Sequence, residues 1–355
     1  MSDFFPNGLP ILIGSLPLTD HDKAVDLVLK YSPYIPNWVQ LPKNKFEGMI
    51  SQFLPGMPGY RIEGDKEFID QSSEDFLSDL TTFYENYLSI TSGQKSIEES
   101  FPIEKQRLLG LYHLIDRLRQ LKNLDEIVAI KGQITGPITF ATSVKDKDGR
   151  AIFYDEQLKD MAVKHLLMSA MYQAKVLSEF NKKIIIFLDE PALAGFGSTE
   201  FLSISRDDVL SAFSEIINGL HEMDVLVGVH VCANTDWSLV IDSGADILNF
   251  DAYSYFDKLM LYKENLRDFL ENGNYIAWGI VPTEAELIEK ESFESLCKIF
   301  DAQIKEAAEA FGCTKDKLLS QIFITPSCGC GSLSFELAEK VLDFNLRMYE
   351  KYRLS

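Results

Sequence analysis

Eight short apolar runs constrain this sequence more than any other feature. They are ILIGSLP (11–17), NWVQLP (37–42), IVAIKGQI (127–134), IIIFLDEP (184–191), VLVGVHVC (225–232), ILNFDAY (247–253), YIAWGIV (275–281) and QIFITPSCG (321–329). Continuous runs of Val and Ile at this length suit strands covered on both faces, as in a parallel sheet. Amphipathic segments at 22–31, 155–180, 206–222, 235–243, 257–272, 284–311 and 332–352 lie between and after them and are predicted helices. Eight strands alternating with helices predict an α/β fold, a (β/α)8 TIM barrel formed by residues 1–355 as a single domain. An open doubly wound sheet is the alternative. A count of eight, with candidate residues spread over many strand ends, favours the barrel.

One stretch breaks the alternation. Residues 43–126 separate the second and third runs and contain KEFIDQSSEDFLSDLTTFYENYLSI (66–90) and EKQRLLGLYHLIDRLRQL (104–121), both of helical period. They predict a helical insertion after strand two, on the side of the barrel where active sites form. Its start, FLPGMPGYRIEGDKEF (53–68), is rich in turn residues and is expected over the barrel mouth.

Composition removes several classes of function. A formal charge of −20 repels nucleic acid and anionic membranes, so neither is an expected partner. No stretch of about 18 apolar residues is present, so no membrane span is expected. The opening MSDFFPNGLP has neither a basic segment nor an apolar one that would mark secretion. Five cysteines (Cys232, Cys297, Cys313, Cys328 and Cys330) are few and odd in number. They predict free or metal-bound thiols in a reducing cytoplasm.

In a barrel, chemistry collects at the C-terminal strand ends. Ser15 follows run one, Asp189 and Glu190 end run four, and His230 and Cys232 end run five. Asp251 ends run six, and Cys328 and Cys330 end run eight. Residues two apart on a strand face the same side, so His230 and Cys232 are expected to point together. Taken alone, His-x-Cys suits two core residues, and Cys-Gly-Cys suits a redox pair. Their joint position at strand ends instead favours a metal site of nitrogen, sulfur and oxygen ligands, which zinc accepts. Cys297 and Cys313 lie in helical segments and are expected to pack. His21, His113, His165 and His221 are expected to be structural or surface residues. The two acids of the DEP motif at 189–191 suit a cation or an amino group.

Five motifs, in order and over nearly the whole chain, resemble the C-terminal catalytic half of cobalamin-independent methionine synthase, within the larger group that includes uroporphyrinogen decarboxylase-like barrels. IGSLPLT (13–19) resembles the family's IGSFPQT, and TGPIT (135–139) resembles TGPVT. LDEPAL (188–193) resembles IDEPAL. HVC followed by GADILNFD (230–251) resembles HMC followed by DADVITIE, and PSCG (326–329) resembles PDCG. The resemblance implies Zn2+ on His230, Cys232 and Cys328. Asp251 stands where the family has its fourth ligand, a Glu, and Cys330 is the alternative. It further implies that Ile13, Gly14 and Ser15 hold a homocysteine carboxylate through the backbone, and that Asp189 holds its amino group.

The departures from the family are as informative. Gln40 stands about where the family has a Glu that helps hold the amino acid. Gly195 replaces a folate-contacting Glu, and Glu284 aligns near the proton-donating His. The family's N-terminal half is absent from this sequence. The resemblance therefore implies methyl transfer to homocysteine, giving methionine, with a methylated corrinoid protein as donor in place of folate. Two alternatives are a methyltransferase for another small thiol, such as coenzyme M, and a non-catalytic barrel that binds zinc or a corrinoid carrier. A uroporphyrinogen decarboxylase role is disfavoured, since that chemistry needs no metal and its polyacidic substrate would be repelled.

Overall fold

The structure, a computed structural model, describes residues 4–101, 104–198 and 204–353. Strands β1 (Tyr60–Glu63) and β2 (Lys66–Ile69) pair as an antiparallel hairpin. Strands β3 (Ala129–Thr135), β4 (Lys183–Asp189), β5 (Val225–Val231), β6 (Ile247–Phe250), β7 (Tyr275–Val281) and β8 (Ile322–Pro326) form one parallel sheet in sequential order. The last six apolar runs are thus strands, and helices join them. Each crossover returns the chain to the same edge, so the sheet advances in one direction and curls into a half-barrel.

Runs one and two do not form regular strands, which corrects the expectation of eight. They contribute isolated parallel bridges: Pro10 with Ile324, Ser15 with Gln40, and Asn37 with Lys131. Their backbone bonds reach both edges of the sheet, since Ile11 N–H donates to Ile324 C=O at 3.0 Å and Lys131 N–H to Pro36 C=O at 2.9 Å. Prolines explain why no ladder forms. Pro10 and Pro17 bracket run one, and Pro36 and Pro42 bracket run two. Each lacks an N–H and fixes its φ, which stops a ladder within a residue or two. The regular sheet is therefore six-stranded, with two irregular segments spanning the gap.

Two apolar cores follow from the two faces of the curled sheet. Ile11, Ala129, Ile185, Phe187, Ile247 and Phe323 meet inside the curl. Their neighbours in sequence, among them Ile130, Ile186, Leu248 and Ile324, face the surrounding helices. Period-two alternation along each strand makes this division. On β3 the inward phase turns from Ala129 to Lys131, Gln133 and Thr135, so the interior becomes polar toward the C-terminal strand ends.

The insertion is not wholly helical. It holds the β1–β2 hairpin as well as helices Phe76–Thr91, Ile97–Ser100 and Leu109–Gln120. Gly64, at φ +64°, lies in the two-residue turn between Glu63 and Lys66, where a residue with a Cβ would be strained. Most of the insertion leans on outer helices and not across the mouth: Tyr84 donates to Asp160 at 2.7 Å and Tyr87 to Glu215 at 2.9 Å. Among the described residues, only its first loop reaches the strand ends, through Glu47 and Met49.

Among the described residues, no helix is long and apolar enough to cross a membrane.

Candidate metal centre

The parallel register lays one row of residues across the sheet. Thr135 pairs with Asp189, Asp189 with His230, and His230 with Asn249. Side chains in such a row point the same way, here into the curl. Cys232 follows His230 by two residues and shares its side. Cys328 arrives from the loop after β8. The donor atoms of His230, Cys232 and Cys328 all lie within 4.8 Å of one another.

Asn249 settles which histidine nitrogen faces the cysteines. Its Nδ2 donates to Ala277 C=O at 2.9 Å, which turns Oδ1 toward His230 Nδ1, and the two are hydrogen bonded. An amide oxygen only accepts, so Nδ1 carries the hydrogen. Nε2 keeps its lone pair and, among the described residues, has no partner although it is buried. An orphaned buried acceptor beside two thiols fits a metal ion, and one imidazole with two sulfurs fits zinc. Three protein ligands with a place left open is the pattern of catalytic zinc, not of structural zinc.

Neither residue expected as fourth ligand belongs to this group. Asp251 is buried and spent on the helix Ala252–Leu259, whose N-terminus it caps by accepting from Ser254 N–H at 2.9 Å. Cys330 is 2% exposed and packs in the helix-facing core. Burial there pushes its thiol up to about 12. Cys328 donates a hydrogen bond to Cys232. That bond holds the Cys232 thiol well below its ordinary range and raises Cys328.

The cluster forms one wall of a cavity of about 160 Å³. Drug-sized pockets start at roughly 300 Å³, so this one suits a small molecule. Ile13, Ser15, Gln40 and Asp189, all singled out from sequence, line it. Gly14 lies just behind, among Leu12, Cys328 and Gly329. Glu284 is exposed at the start of the helix Ala285–Lys290 and is not among the lining residues.

The two acids of the DEP motif part company. Glu190 is fully buried and caps the helix Pro137–Ser143, accepting from the N–H groups of Ile138 at 2.9 Å and Thr139 at 2.8 Å. Asp189 faces the cavity, and among the described residues its Oδ1 has no hydrogen-bond partner. Burial pushes Asp189 up to about 6, while the neighbouring His230 and Lys131 pull it back.

Three polar groups near the site went unread in the sequence. Asn249 and Lys131 sit inside runs taken as apolar, and a charged or amide residue at a doubly covered position was the available signal. Glu47 also lines the cavity, held by His21 Nε2 at 2.7 Å, Asn44 Nδ2 at 3.0 Å and Leu41 N–H at 3.0 Å. His21 therefore braces the cavity wall.

No family model and no curated protein matches the sequence. Among solved structures, the chain is similar to a methyltransferase from Methanosarcina mazei, with a TM-score of 0.51 and 14% identity over 96% of this chain and 94% of that one. A GH5-4 broad specificity endoglucanase from Clostridium acetobutylicum aligns over 64% of this chain and 88% of that one at 10% identity. Its TM-score of 0.29 carries no weight. At such identities the likeness to the Methanosarcina mazei protein speaks for the fold alone.

Proposed function

We propose that this chain is a methyltransferase acting on the sulfur of a small thiol amino acid, with homocysteine as acceptor and methionine as product. One observation carries the reading: His230, Cys232 and Cys328 converge beside an unpartnered Asp189 oxygen in a cavity sized for a small molecule. The fold likeness to a methyltransferase agrees with it. His230, Cys232 and Cys328 are the residues that would hold zinc, which when bound keeps a coordinated thiol deprotonated at neutral pH.

The remaining work falls to the chain's own groups. Asp189 offers its free oxygen to the acceptor's ammonium. The backbone at Ile13–Ser15 receives the carboxylate. Asn249 holds the His230 ring in one orientation. The acceptor sulfur attacks the methyl carbon in line, forming the new C–S bond as the bond to the donor breaks. A thiol lacking an amino group would leave Asp189 Oδ1 unpaired in the wall, which favours the amino acid over a coenzyme M-like thiol.

The proposed donor is a methyl-corrinoid carrier protein. A corrinoid leaving group needs no proton, and Glu284, at the position of the family's proton donor, is exposed. Gly195, in place of the folate-contacting Glu, offers no side chain to a folate.

Zinc analysis with X-ray absorption tests the acceptor. The expected change on adding homocysteine is one more sulfur around the metal, and an unchanged sulfur count sinks the reading. Turnover with methyl-folate and none with methylcobalamin would reject the corrinoid donor. Asp189→Asn is expected to weaken use of homocysteine about 10–100-fold, the value of one lost charged hydrogen bond, and to leave thiols without an amino group unaffected.

A further inference from the structure

Lys131 is 0% exposed, on the inward phase of β3 and four residues deeper than Thr135 at the rim. Packing does not call for a cation there. A methionine would fill similar space without stripping water from an ammonium group. The ammonium donates to Ile13 C=O at 3.0 Å and to Gln133 Oε1 at 3.2 Å, and lies 4.6 Å from the centre of the Phe187 ring. Its carboxylate counter-charge is Asp189.

The contact with Ile13 sets the direction of a peptide. In a trans peptide the C=O and the following N–H point oppositely. Drawing Ile13 C=O toward Lys131 therefore turns Gly14 N–H away from it. Gln133 clamps the same loop. Its Nε2 donates to Trp38 C=O at 2.9 Å, and its amide would lie 3.0 Å from a Cβ on Gly14. Gly14 stands at φ +138°, where a side chain is rarely accommodated. Among the described residues, the N–H groups of Gly14 and Ser15 donate to no backbone carbonyl, although Gln40 N–H and Leu16 N–H beside them are paired.

We infer that Lys131 is a positioning residue that holds the Ile13–Gly14 peptide so that the loop presents free N–H groups to an acceptor's carboxylate, and thereby selects α-amino carboxylates among small thiols. This rests on the proposed thiol acceptor. It adds to that reading the origin of selectivity, a buried cation that touches the loop and not the substrate.

The test compares binding of homocysteine with that of 3-mercaptopropylamine, which keeps the thiol and ammonium and lacks the carboxylate. Calorimetry is done on zinc-loaded wild type and Lys131→Met, with zinc content and melting temperature as controls on folding. Wild type is expected to prefer homocysteine by about tenfold or more, and the variant to lose most of that preference through homocysteine alone. Equal preference in the two proteins, or a parallel loss for both ligands, overturns the assignment. In wild type alone, the Gly14 amide resonance is expected to move with homocysteine and not with 3-mercaptopropylamine. The same shift with both overturns the assignment whether or not the variant folds. Homocysteine binding without methyl transfer would defeat the proposed function and leave Lys131 its role, whereas wild type that binds neither ligand defeats both.

Discussion

His230 has two nitrogens, and Asn249 decides which is free. This second partner was invisible as a motif because a lone Asn inside ILNFDAY has no spacing to announce it. Loss of such a partner typically costs 10–100-fold in metal affinity. Asn249→Leu is accordingly expected to weaken zinc by about that factor in competition with a chromophoric chelator. Asn249→Asp, which keeps an oxygen acceptor, is expected to retain most of the affinity. Single residues also explain why neither Asp251 nor Cys330 joins the group of His230, Cys232 and Cys328. Asp251 and Cys330 were chosen for their chemistry and position in sequence, but a helix N-terminus engages one and the core encloses the other. Asp189 and Glu190, adjacent in sequence, are assigned opposite duties by strand alternation: one faces inward to the cavity, the other caps a helix.

At the scale of elements, the helix Glu156–Leu177 carries the long loop of the insertion. His165, fully buried on it, shares a hydrogen bond between Nε2 and Phe53 C=O at 2.8 Å. Burial lowers His165 from 6.5 to about 4, against the smaller upward pull of that carbonyl. The unfolded chain therefore takes up this proton at a higher pH than the folded one. Stability present above pH 6.5 is lost as the pH falls from 6.5 toward 4, by up to about 3 kcal/mol at about 1.4 kcal/mol per pH unit. The melting temperature of wild type is expected to drop through that window. His165→Phe, which cannot titrate, is expected to show a shallower drop, and identical slopes would contradict the assignment. The helices themselves were largely legible, since their apolar period and their caps, such as Ser205 and Ser334, are local. The β1–β2 hairpin was not. Its four-residue strands are too short to show a period against the helix that follows.

For the whole molecule, the proposed metal ligands matter as a link. His230 and Cys232 end β5, and Cys328 follows β8, three strands further round the curl. A bound ion would tie these strand ends together. A ligand that binds only the folded state stabilises it by about 2.7 kcal/mol at one hundred times its Kd. Chelation of zinc is expected to lower the melting temperature by several degrees, and Cys328→Ser is expected to abolish the difference between metal-loaded and metal-free protein. Hydrogen exchange should report the uneven closure of the fold. Amides of β3 to β8 lie in continuous ladders and should exchange slowly, while those of runs one and two, held by isolated bridges, should open first.

The sequence by itself determined the α/β class, the order of the six parallel strands and the three side chains, His230, Cys232 and Cys328, that come together. These rest on local properties: the length of an apolar run, the period between runs, and the two-residue spacing that turns His230 and Cys232 the same way. Tertiary structure decided the rest. It set Asp189, His230 and Asn249 in one row, left runs one and two as irregular segments bracketed by prolines, excluded Asp251 and Cys330 from the cluster, and placed Lys131 under the loop at Ile13. Register and curl arise from contacts between residues tens to hundreds apart in sequence, and no pattern within a single strand carries them.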